Sequence, residues 1–110
     1  MKMVDKFYDK VLNQCTNALG YIINSDSVRA IIEASGVFVK QVTSVDNRIP
    51  ILSFENEDDK SIMYCDVIKK LNNRIQYVSD TCMNNDSLHT EYVIGRDVVK
   101  AFLSVSNGMV

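Results

Sequence analysis

The chain has 110 residues, a formal net charge of −2 and a pI near 5.2, with 46% apolar and 24% charged residues. That length fits one domain, residues 1–110, and the apolar share can build a core without metals or disulfides, which speaks against intrinsic disorder. The slightly acidic balance speaks against a coat protein for nucleic acid, which needs surplus Lys and Arg to displace counterions from phosphates, but it leaves room for a local basic patch.

Residues 3–19 read as a helix. Val4, Tyr8, Val11, Cys15 and Ala18 recur at alternating four- and three-residue steps, Phe7, Leu12 and Leu19 widen the same face, and Gly20 follows as a terminator. The start, MKMVDKFYDK, places charges where a secretion signal needs an apolar run, and no stretch approaches the length of a membrane span. The expected setting is therefore soluble and cytoplasmic. Asn and Ile occur ten times each while Trp is absent and Pro occurs once, a usage that fits an AT-rich source such as a low-GC bacterium, a phage or another virus.

Ser25, Asp26 or Ser27 can cap a second helix, VRAIIEASG, ending at Gly36, although Val28, Ile31 and Ile32 also allow a strand. VFVKQVTSVDNRIPILSF is a β-hairpin pattern, with Val37, Val39 and Gln41 on one face and Phe38, Lys40 and Val42 on the other. Pro50 cannot donate to a ladder, so its strand begins there or lies at an edge.

Glu55, Glu57, Asp58 and Asp59 follow within five residues. Asn56 is a good N-cap, and acids in a first turn complement the helix dipole, so this stretch is expected to open the next helix. A divalent cation or a partner contact is the rival explanation, but the EF-hand spacing with its glycine and distal Glu is missing. Tyr64, Ile68, Leu71, Ile75, Val78 and Cys82 then carry the strongest helical period in the chain, opposite a polar face that includes Lys69, Lys70 and Arg74. MNNDSLHT reads as a loop, EYVIG as a short strand or helix entry, and RDVVKAFLSV as a final helix.

Reactive groups are sparse. Cys15, Cys65 and Cys82 are odd in number, form no CxxC pair and fit a reducing compartment. With His89 they lack the paired spacing of a zinc site, and Cys82 with His89 lacks a recognisable orienting group for nucleophilic catalysis. The glycines form neither a phosphate loop nor a dinucleotide fingerprint.

The pattern predicts an α+β fold, mainly helical, with one β-hairpin or small antiparallel sheet. The leading functional expectation is a non-enzymatic interaction protein, an adaptor, assembly factor or inhibitor that binds another protein and forms homodimers, with no cofactor and no membrane contact. Its expected interface is Tyr64, Ile68, Leu71, Ile75 and Val78. Heptad-like stripes of this length fit packing within one chain or between chains. The alternative is a winged-helix DNA-binding regulator with its wing at residues 37–54, where Arg29 projects from the recognition helix and Lys40 and Arg48 touch phosphate. A cysteine- or metal-dependent enzyme is third.

Overall fold

The computed structural model describes residues 3–16, 23–43 and 50–107. In chain order these form α1 (Met3–Gln14), α2 (Ser25–Ala34), β1 (Phe38–Thr43), β2 (Pro50–Glu55), α3 (Tyr64–Thr81), one 3-10 turn (Cys82–Asn84) and α4 (Asp86–Asn107). The fold is α+β and mainly helical, with one two-stranded antiparallel hairpin, as the sequence pattern predicts.

The apolar stripe of α1 is buried at Val4, Phe7, Tyr8 and Val11. The helix ends at Gln14, five residues before its expected limit. Ala18, Leu19 and the expected terminator Gly20 lie outside the described residues. α2 is a helix rather than a strand. Its cap is Asn24, one residue ahead of the expected candidates: the Asn24 side chain accepts from Ser27 N–H at 2.9 Å. Such a cap contributes about 1 kcal/mol. Past the helix, Gly36 takes φ +82, a left-handed conformation that glycine adopts without a Cβ clash.

The hairpin pairs Val39 with Phe54, Lys40 with Ser53 and Val42 with Ile51. Directly opposed residues share a face, so Val39 and Phe54 enter the core together while Val42 and Ile51 stand exposed on the other side. β2 begins at Pro50, and residues 44–49, which join the two strands, lie outside the described residues.

The acidic stretch does not open a helix. Asn56 turns its side chain onto Asp58 N–H at 2.9 Å and Lys60 N–H at 3.1 Å, while Asp59 N–H donates to Asn56 O at 3.1 Å. Asp59 takes φ 59. The chain then doubles back: Glu55 bridges to Ser61, and Ile62 N–H donates to Phe54 O at 2.9 Å. The same Asn that could cap a helix here builds a tight turn, because backbone donors two and four residues ahead reach its oxygen first. α3 therefore starts at Tyr64, eight residues after Asn56, with no side-chain cap.

α4, by contrast, is longer than expected. Asn85 Oδ1 accepts from Leu88 N–H at 3.0 Å, which caps a helix through the residues read as loop and through EYVIG. α3 and α4 run antiparallel: Tyr64 Oη donates to Leu103 O at 3.1 Å, near one end of the pair, and Arg74 reaches Glu91 further along. Phe102 of α4 is fully buried at the centre, its ring edge-on to Phe7 at 5.4 Å and tilted against Phe54 at 5.9 Å. Burying a side chain of that size stabilises the fold by roughly 1.5–3 kcal/mol. One cluster of buried side chains draws on all four helices and both strands.

Candidate functional site

A depression of about 110 Å³ lies where the second half of α3 meets the first half of α4, closed at one side by the end of α2. Its floor is apolar, made by Ile31, Ile75, Val78 and Val99, with Gly95 of α4 among them. Its rim is polar and aromatic: Ser35, Arg74, Gln76, Glu91, Tyr92 and Arg96. Helical periodicity explains the layout. Residues 74, 75 and 78 fall within about one turn of α3, and residues 91, 92, 95, 96 and 99 within about two turns of α4, so the facing helices bring them together.

Arg74 fixes one wall. Its Nε and Nη2 donate to the two Glu91 carboxylate oxygens at 2.8 and 2.9 Å, a bidentate fork between helices. The pair is largely withdrawn from water, at 25% and 13% side-chain exposure. The Glu91 hydrogen bonds hold the guanidinium charged more firmly than usual. The same guanidinium sits 5.2 Å over the ring of Tyr77, a cation–π contact. Tyr77 is 51% exposed and Tyr92 49% exposed, so two large aromatic rings face solvent beside the depression. Arg96 makes no ion pair among the described residues.

The depression continues. A shallower hollow between α2 and α4 shares Ile31 and Glu91 with it and is lined by small side chains, Ser27, Ala30, Ser87 and Thr90. The two make one track across the surface of α2, α3 and α4.

Of the expected interface residues, Leu71 and Val78 lie inside the chain's own core at 0% and 2% exposure. Tyr64 and Ile68 are partly exposed toward the far end of α3, and Ile75 lines the depression. Val67, which the spacing argument passed over, is fully buried. Of the expected DNA-contacting residues, Arg29 is already paired within the fold. Arg29 lies 3.7 Å from Asp5, donates to Glu33 at 3.3 Å and stacks 5.3 Å over Tyr8. Lys40 is exposed on the outer face of the hairpin, and Arg48 lies outside the described residues.

The three cysteines are free thiols, Cys15 just past α1, Cys65 exposed at the start of α3 and Cys82 in the 3-10 turn. Burial, and then the charge of Asp97, push the Cys15 thiol upward. His89 is exposed on α4, with no hydrogen bond to Cys82. Among the described residues no three His, Cys, Asp or Glu side chains are placed to hold a metal ion, and no helix is long and apolar enough to cross a membrane.

Comparison with protein-family models, with curated proteins and with solved structures finds no match to this chain.

Sequence reasoning missed Tyr77, Glu91, Tyr92, Gly95 and Arg96. The Arg74–Glu91 fork joins residues seventeen apart on two helices, which a periodicity argument along one helix cannot see. Gly95 did leave a signal, a glycine inside a helical pattern.

Proposed function

We propose that this chain is a non-enzymatic protein-binding module whose contact face is the track between α3 and α4. One observation carries the proposal: an apolar floor has a polar rim that holds the half-exposed Tyr92 and Arg74, and Arg74 in turn sits over the half-exposed ring of Tyr77. Tyr and Arg around a concave apolar centre are the composition that protein contacts favour. The face differs from the stripe read from sequence: Leu71 is used up in the core and Val78 reaches the face only at its floor, while Ile75, Tyr77 and Tyr92 remain accessible.

Affinity capture from the source cells tests it. Wild-type chain should retain a partner that the Tyr77→Lys/Tyr92→Lys variant loses, while the variant still unfolds in one cooperative thermal transition. Light scattering shows whether that partner is a second copy. Identical retention by the two proteins contradicts the proposal.

A further inference from the structure

Gly95 occupies the middle of a 22-residue helix. A glycine there costs helix stability relative to alanine. Two structural reasons for tolerating it are missing. Its φ is not positive, and a Cβ built on it would meet only Glu91 Cγ at 3.7 Å, an ordinary contact. Alanine would fit. What the missing methyl group leaves is open space on the apolar floor.

The charges around that space are unbalanced. Its lining holds two arginines and one glutamate, a local surplus of one positive charge on a chain whose net charge is −2. Glu91 is committed to Arg74, so Arg96 stands at the rim without a carboxylate among the described residues. The volume, about 110 Å³, suits a few heavy atoms; an apolar cavity of about 150 Å³ accepts benzene. The hollow that continues over Ser27, Ala30 and Thr90 gives room for chain on either side of an inserted group.

Building on the protein-binding role proposed above, we propose that the depression over Gly95 receives one aliphatic side chain of a partner polypeptide, with a neighbouring carboxylate of that partner paired to Arg96. The aliphatic group fills the space above Gly95 against Ile75 and Val99. The carboxylate supplies the missing counter-charge, and the flanking backbone runs along the hollow between α2 and α4.

The probe is the blocked peptide acetyl-Ala-Leu-Asp-Ala-amide, titrated into 15N-labelled full-length chain, with two control peptides in which Leu becomes Ala or Asp becomes Asn. The Leu-Asp peptide should shift the amide signals of Ile75, Gly95, Arg96 and Val99 and saturate in roughly the millimolar range expected of so small a contact. Each control should bind about tenfold more weakly. Gly95→Ala should weaken the Leu-Asp peptide about tenfold while raising the thermal midpoint by ~2–8 °C, so weaker binding cannot be blamed on unfolding. Arg96→Gln should abolish the preference for Asp over Asn.

No shifts, or equal binding by Gly95→Ala, overturns the inference. So does binding of free 4-methylpentanoate with none of the peptide, which marks a small-molecule site. Shifts that depend on protein concentration without peptide overturn it too, since a second copy then fills the space. If tyrosine-dependent partner retention persists while the peptide fails, the occupant is wrong and the binding role stands. If retention ignores the tyrosines, the binding role itself falls.

Discussion

Glu57 stands where a side chain on Gly36 would go: a Cβ at Gly36 would lie 2.7 Å from Glu57 Oε2. Lys70 of α3 holds that carboxylate, its Nζ 3.2 Å away, so the end of α2, the acidic turn and α3 meet at one point. Gly36→Ala meets two obstacles, the positive φ and the carboxylate. The expected loss is about 1–2 kcal/mol in chemical denaturation. Glu57 is the far end of an exposed side chain and can swing away, so Gly36→Ala/Glu57→Ala should recover only a minor part.

The same junction has a pH signature. A hydrogen bond from its own backbone, and then Lys70, lower the Glu57 pKa below its ordinary value of 4.5. A lowered folded-state pKa gives stability that is present above the ordinary value and is lost as pH falls through the lowered one. Wild type and Glu57→Gln should therefore differ in thermal midpoint at neutral pH and converge in acid. A gap that widens in acid would refute the assignment.

Tyr8 is buried at 2% exposure, and its hydroxyl has no hydrogen-bond partner among the described residues. Burial, with a further push from Glu33, strongly disfavours the ionised phenol. A buried hydroxyl without a partner costs about 1–3 kcal/mol, so Tyr8→Phe should be neutral or stabilising by thermal unfolding. The ring contacts with Phe7 and Arg29 survive that change. A loss above about 1 kcal/mol would show that the hydroxyl is satisfied.

The Arg74–Glu91 fork should be worth more than the exposed ion pairs. Arg74→Ala or Glu91→Gln is expected to lower stability by about 1–3 kcal/mol, and a double-mutant cycle should return a coupling above the ~0.2–1 kcal/mol of exposed pairs. Arg74→Lys should fail to restore it, because an ammonium cannot donate two parallel bonds to the carboxylate and loses the flat contact with Tyr77.

In the turn after β2, Asn56→Ala should cost about 1 kcal/mol by leaving the Asp58 and Lys60 N–H groups without their acceptor. Asp59→Gly should be neutral or slightly stabilising, since glycine adopts φ 59 freely, whereas the β-branched Asp59→Val should lose about 1–2 kcal/mol. Equal midpoints for Gly and Val at this position would contradict the left-handed assignment.

How far the sequence could be read depended on whether a feature was local and periodic. The α1 stripe, the hairpin faces and the body of α3 were legible because burial repeats at the period of the element. The start of α3 was not, because Asn followed by acids satisfies a helix N-terminus and an Asx turn equally well, and only the pairing of Ser61 and Ile62 back onto β2 decides between them. The first two turns of α4 were hidden by polar residues on solvent-facing positions, although Asn85 capping Leu88 was available as a start signal. The pairing of Arg29 with Glu33 four residues on was legible along the helix, whereas its approach to Asp5 of α1 needs the fold. The depression over Gly95 depends on how two helices and the end of a third face each other, which no single-segment pattern contains.

Site-specific photo-crosslinking in the source cells tests the binding face most directly. A benzophenone side chain placed at Tyr92, with exposed Lys69 on α3 as control, reports which surface a partner covers. The binding role predicts a discrete adduct from position 92 and none from position 69, and an aliphatic group seated over Gly95 predicts further that Gly95→Ala diminishes that adduct. Equal labelling from the two positions, or labelling from 69 alone, would contradict it.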